Sequence, residues 1–281
     1  MRVTASNDDK VVARNNIVKM NGKAYRTFEG FAFDACSSST YGMFWVQTYD
    51  VDHLTIRKCT FNGWGGMAIR AYQTANLTNM LVENCIATNC SYFYDDGEVQ
   101  DNSGNVIQNC LFFANSNYVI NTKSGGFTVK NCSFYGAYRC VNVSSSLNAG
   151  QTVTVNNCIM HGVTNYALAA TTLGNLVEDY NLGPSRSNVA VGAHSLTYGS
   201  LLDMRWAHEL LNGGSMLSPF DLASYSQLIN VAGTSPTAKD IRGTAKIGAE
   251  REWGAFEYDS TLDIEAGSGS VKILPLGRIG L

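Results

Sequence analysis

Residues 79–88 read NMLVENCIAT, and this stretch contains the unit on which the fold turns. Met80 and Val82 stand two apart, the period of a half-buried strand. Asn84 interrupts them, and Cys85 and Ala87 then resume the inward face. A bend that keeps both arms facing inward needs a residue that tolerates left-handed dihedrals. Asn does so better than any residue except Gly, because its short amide bonds locally. The unit therefore reads as strand, bend, strand.

The unit recurs. Cys36, Cys59, Cys85, Cys110, Cys132 and Cys158 follow one another at 23, 26, 25, 22 and 26 residues, and Tyr180 extends the series by 22. Three positions before each stands Phe33, Ile56, Val82, Ile107, Val129, Val155 or Val177. Asn84, Asn109, Asn131 and Asn157 directly precede four of the cysteines. Self-similarity at a period of about 20–50 residues is the mark of a repeat architecture. The Asn residues are expected to stack as bends and the cysteines as small buried side chains just inside them. A further apolar segment follows within each period: GMAIRAY from Gly66, YFYDD from Tyr92, YVINT from Tyr118, CVNVSS from Cys140 and YALAAT from Tyr166. Short strands split by Gly, Asn and Ser, with no helical period, predict coils stacked on one another. The expected fold is all-β, a right-handed parallel β-helix solenoid. Seven or eight coils at the spacing of neighbouring strands give a rod about 35 Å long.

Composition sets further bounds. The chain has 281 residues, 45% hydrophobic and 15% charged, enough core for one large domain. A net charge of −3 supplies no basic surplus, so nucleic acid is not an expected partner. No run approaches the length of a membrane-spanning helix, so no membrane partner is expected either. The first residues, MRVTASNDDKVVARNN, contain no apolar signal core. Eight cysteines without C-x-x-C spacing predict buried thiols rather than a disulfide framework or a zinc site. His53, His161, His194 and His208 lack paired metal spacing.

Four parts are expected: an entry segment with a first coil over 1–30, regular coils over 31–183, irregular final coils and a cap over 184–258, and an extended arm over 259–281. Within the third, residues 200–212 (SLLDMRWAHELLN) carry helix start and stop signals. The last part contains the linker-like AGSGS and the apolar VKILPL.

The coils resemble the parallel β-helix repeat of the pectate-lyase-like superfamily, in which Asn commonly stacks at one bend. GAHSL from Gly192, PFDLASYSQLINVAG from Pro219, KDIRGT from Lys239 and IGAEREWGAFEY from Ile247 resemble the C-terminal end of many such proteins. The resemblance covers roughly residues 30–258. It implies a scaffold that hosts lyases, hydrolases, adhesins, phage tailspikes and virion surface proteins.

Stacking brings the polar interruptions of the later strands together. Arg70, Asp95, Asp96, Asn121, Lys123 and Asn142 are the candidate carbohydrate-binding groove. Catalytic candidates are Lys123, Arg139 and Asp96, with Lys123 placed to abstract a proton next to a uronate carboxylate. NTKSGG around Lys123 resembles the Lys-Ser of alginate-lyase-like proteins, although Arg139 follows after 16 residues, short of one coil. Asp95, Asp96 and Glu98 are candidate calcium ligands through hard oxygens; no other cofactor is expected.

The expected function is a non-catalytic structural or surface protein of a larger assembly, a phage or virus decoration or spike component with glycan-binding capacity. Its partners would be its own copies as a homotrimer, other assembly or capsid proteins, and polysaccharide. Its place would be the virion surface, the alternative being extracellular or cell-surface. The alternative activity is a polysaccharide lyase or hydrolase acting on acidic polysaccharide.

Overall fold

The structure is a computed structural model that describes residues 2–197, apart from 5–11, 15–17, 21, 23, 35–41, 47–48, 64–65, 73–74, 97–100, 114, 145–150 and 185. The expected helix over 200–212 and the arm over 259–281 lie outside the described residues. Every element among the described residues is a β-strand. Each coil contributes one strand to each of three parallel sheets. One coil runs Asn105–Gln108, Leu111–Phe113, Tyr118–Thr122, and the next begins at Phe127–Lys130. Taken across the coils, these form a first sheet of eight strands, a second of nine and a third of eight, and Val51–Asp52 and Leu77–Thr78 pair as a separate two-stranded sheet.

Register keeps like above like. On the first sheet Phe28, Ile56, Val82, Ile107, Val129 and Val155 pair in one column. On the second, Phe33, Phe61, Ala87, Phe112, Phe134 and Met160 do the same. Ala87 is the small member of that column, and Phe93 from the third sheet fills the room it leaves. The Phe93 ring lies 5.4 Å from Phe61 and 4.8 Å from Phe112. Volume complementarity of this kind is what brings an interior to close packing.

The bends occur where the Asn spacing placed them. Asn84, Asn109, Asn131 and Asn157 have φ of 53°, 51°, 52° and 56°, and Gly30, Lys58 and Tyr180 occupy the same corner in the other coils. The corner before the first sheet is also left-handed, at Tyr25, His53, Asn79, Gly104 and Gly126. Where an aromatic residue accepts this conformation, ring stacking accompanies it: Tyr25 lies on His53 and Tyr180 on His194, each at 4.4 Å. The Asn84 side-chain oxygen has no hydrogen-bond partner, so the residue serves its backbone angle. Asn84→Gly is therefore expected to change stability little, whereas Asn84→Val costs about 1–2 kcal/mol through the left-handed penalty; urea denaturation of the two variants checks this.

Cys59, Cys85, Cys110, Cys132 and Cys158 stack in register, all buried and none in a disulfide. Each thiol donates to the carbonyl two residues earlier, at Arg57, Glu83, Gln108, Lys130 and Asn156, over 3.1–3.3 Å. Cysteine thus combines apolar bulk with a donor for the carbonyl beside the bend. Burial pushes the Cys110, Cys140 and Cys158 thiols well above their usual range, which keeps them in the weakly nucleophilic thiol form.

Both ends of the spacing series need correction. Cys36 lies outside the described residues, and the residue in register with Cys59 one coil earlier is Phe31, whose carbonyl accepts from Thr60 N. Phe33 accordingly stacks on Phe61 rather than in the Ile56 column. At the other end the column continues to Asn181, because Leu182 N bonds Cys158 O, and Tyr180 occupies the bend. The one-residue slip reverses the neighbouring faces: Val177 is exposed and Glu178 is buried.

Three buried asparagines act as pegs between coils. The side-chain oxygens of Asn105, Asn115 and Asn181 accept from Met80 N, Cys90 N and Cys158 N. They satisfy main-chain donors in a region closed to water, which backbone groups require.

Candidate functional site

The third sheet carries the polar residues. Its strands Met67–Ala71, Tyr92–Asp95, Tyr118–Thr122, Arg139–Val143 and Tyr166–Ala170 depart from strict alternation, because Phe93 and Tyr94 both pack against core rings. Register then places Arg70, Asp95, Asn121 and Asn142 in one column, followed by Ala169 and Ser187. Four of the six candidate groove residues are thereby brought together.

They bond to one another. Asn121 Nδ2 donates to Asp95 Oδ1 at 2.8 Å, and Asn142 Nδ2 donates to Asn121 Oδ1 at 2.8 Å. Arg139 Nη1 donates to Asn142 Oδ1 at 2.7 Å. Arg70 Nε lies 3.6 Å from Asp95 Oδ2. Asp95, Asn121 and Asn142 are between 5% and 9% exposed, so most of the ladder's hydrogen-bonding capacity is turned inward on itself.

The other two groove candidates lie apart from this ladder. Asp96 is completely buried at the end of its strand. It accepts from Asn102 Nδ2, from Thr122 Oγ1 at 2.5 Å and from Lys123 N at 2.5 Å. Burial pushes its carboxyl well above the ordinary aspartate range, against the hydrogen bonds from Thr122 and Lys123. Lys123 is exposed, and its main-chain N–H is what holds Asp96. Arg139 belongs to a different column of the sheet. The three catalytic candidates thus occupy a buried corner, an exposed turn and a strand face.

The same geometry bears on calcium. The atoms facing Asp96 are N–H and O–H donors, and Asp95 faces Asn121 Nδ2 and Arg70. Groups arranged as donors satisfy a carboxylate without leaving it free to coordinate a hard cation. Glu98 lies outside the described residues. Among the described residues no group of three His, Cys, Asp or Glu is arranged to hold a metal ion.

A second column on this sheet was not singled out from sequence. Tyr118, Arg139 and Tyr166 pair in register, and Tyr92 stands edge-on to Tyr118 at 5.7 Å. The Arg139 guanidinium lies 5.2 Å from the Tyr118 ring, 5.5 Å from Tyr138 and 5.6 Å from Tyr166. Arg139 Nε donates to Asn165 Oδ1 at 3.0 Å. Tyr138 is 37% exposed. On the adjoining strand ends Phe113 and Tyr135 stack at 5.3 Å, and Tyr135 and His161 at 5.1 Å. The corner between the second and third sheets is therefore an aromatic ridge with one guanidinium set into it. The recurring Tyr at the start of YFYDD, YVINT and YALAAT was the available signal.

Three parallel sheets wound coil by coil around one apolar core define a β-solenoid. Residues 3–181 match the family described as right handed beta helix region, and the chain belongs to that family. Comparison with curated proteins returns no match. Membership defines the scaffold; activity rests with the residues on its surface.

Proposed function

We propose that the protein is a non-catalytic surface component of a larger assembly, of the virion decoration or spike type, whose third-sheet corner binds glycan. One observation carries the reading: the carboxylates that a lyase or hydrolase would use are committed to the scaffold. Asp96 is sealed among Asn102, Thr122 and Lys123 N, and Asp95 is held by Asn121 and Arg70. A general acid or base must reach the proton it moves. The face left to a ligand is aromatic, and tyrosine rings offer flat apolar surface with a polar edge. Assembly into a homotrimer or onto other particle proteins is supported by Leu173, Val177 and Val191. These are 69%, 44% and 51% exposed in and beside one coil, apolar side chains that a partner would cover.

The test incubates the full chain with alginate, pectate and chondroitin while following the ultraviolet absorbance of unsaturated uronates, alongside a glycan array and sedimentation analysis. Glycan capture without turnover, by an oligomer, is the expected result. Turnover that disappears in Lys123→Ala would replace this reading with the lyase alternative.

A further inference from the structure

We infer that Arg139 is the anion-reading group of the glycan site, so that the ligand carries a carboxylate or sulfate on its sugar rings. This rests on the glycan-binding reading above and narrows it.

Arg57 lies 2.9 Å from Glu29, Arg186 lies 2.8 Å from Glu178, and Arg70 lies 3.6 Å from Asp95. Arg139 is half-buried, but no described carboxylate stands within ion-pair distance of it. In place of one it has two amide oxygens, Asn142 Oδ1 and Asn165 Oδ1, and three tyrosine rings. Amide oxygens and ring faces orient a guanidinium without neutralising it. These bonds engage Nε and Nη1. Nη2 has no hydrogen-bond partner among the described residues. Nη2 is thus available to an oxyanion, and an end-on pair would join one of its N–H bonds with the remaining N–H of Nη1.

Its surroundings favour an anion on a sugar over a free ion. The exposed ring of Tyr138 lies beside the guanidinium, placed to meet the apolar face of a pyranose while the charged substituent reaches Arg139. Asp95, the nearby like-charged group in the neighbouring column, is paired with Arg70 and bonded to Asn121, so it offers little repulsion. The coil repeat continues the ridge through Tyr92 and Tyr118 on one side and Tyr166 on the other, a linear track suited to a polymer.

Titration calorimetry of the full chain with oligogalacturonate, heparin-derived oligosaccharide, neutral cello-oligosaccharide and inorganic sulfate tests this. One or both anionic sugars are expected to bind in preference to the neutral one, with affinity falling as salt rises; which of them binds identifies carboxylate or sulfate as the group read. Arg139→Gln is expected to weaken that binding about tenfold to a hundredfold, the worth of a charged hydrogen-bonded contact. Tyr138→Ala is expected to weaken anionic and neutral sugars alike. Circular dichroism of Arg139→Gln and Arg139→Lys verifies the fold, and Arg139→Lys should retain salt-sensitive but weaker binding. Equal affinity for neutral and anionic sugars, unchanged in Arg139→Gln, would overturn this inference and leave the glycan reading standing. Binding of sulfate alone, at the strength of the sugars, would also overturn it. Binding of no sugar at all would overturn both.

Discussion

Glu178→Ala is expected to destabilise the protein by about 3–5 kcal/mol, the cost of stranding one partner of a buried ion pair. In the last coil of the first sheet Glu178 occupies the column of Val155, and in the third sheet Arg186 occupies the column of Leu168. Asn181 follows Cys158 in its column. Three apolar columns thus turn polar in one coil, and their new members bond to each other. Arg186 Nε lies 2.8 Å from Glu178 Oε1, with side-chain exposures of 3% and 0%. Asn181 Nδ2 donates to Glu178 Oε2 at 2.7 Å, Ser195 Oγ donates to the same oxygen at 2.6 Å, and Gly192 N donates to Oε1 at 2.9 Å. Removing the carboxylate leaves a buried guanidinium and three donors without their acceptor. The double variant Glu178→Leu with Arg186→Leu should recover much of the loss, because an apolar pair needs no compensation for desolvation. Urea denaturation of the singles and the double, read as a thermodynamic cycle, measures the coupling. A single-variant cost under about 1 kcal/mol would mean that the pair is solvated, as exposed pairs are.

Asp96→Ala is expected to cost about 3 kcal/mol, since it leaves Asn102 Nδ2 and Lys123 N unpaired in a buried corner. Asp96→Asn should cost far less, and the reason lies in the proton. Thr122 Oγ1 has two acceptors within reach, Asp96 Oδ2 at 2.5 Å and Ser124 O at 2.9 Å, and one hydrogen to give. Burial pushes the Asp96 carboxyl well up. In its protonated form it donates to Thr122 Oγ1 while Thr122 donates to Ser124 O, and an amide nitrogen at position 96 can also donate to Thr122, giving up only the bond that Oδ2 accepts from Asn102 Nδ2. The folded state therefore holds the Asp96 proton more tightly than the unfolded chain, whose value lies near 4. The stability this contributes is full below that value and is lost as pH rises through the raised folded one. Wild type should accordingly lose stability relative to Asp96→Asn as pH rises, in denaturation curves taken across the acid range. A gap that is constant with pH would show that folding leaves the proton affinity of the carboxyl unchanged.

How far each of these features was legible follows from its range along the chain. The solenoid was legible because its causes are local and repeated: an Asn before a Cys states a left-handed bend and a small buried neighbour within two residues, and the period repeats that statement. The polar column Arg70, Asp95, Asn121 and Asn142 was legible for the same reason, since in-register stacking converts equal offsets within a coil into adjacency. Where coil lengths differ, spacing misleads. Cys36 stands 23 residues before Cys59, inside the range of the other intervals, yet the hydrogen bond from Thr60 N selects Phe31, 28 residues before Cys59. Loops absorb such differences without disturbing the sheets, so only pairing reveals them.

What the tertiary structure alone decided concerns groups whose partners come from other strands and turns. By pattern Val177 belongs inside and Glu178 outside. The fold reverses them because Arg186, Gly192 and Ser195, from the third strand and the turn beyond it, converge on the Glu178 carboxylate. Asp96 reads from sequence as a groove, catalytic and calcium candidate, but Asn102 and the residues of the next coil close over it. Arg139 became distinctive only once its three tyrosine rings and two amides were seen to surround it without a carboxylate. Backbone bends and apolar period are properties of neighbouring residues, so the amino-acid sequence determined the scaffold. Charge neutralisation and desolvation are properties of whatever the fold brings into contact, so the environment of each polar group was decided only there.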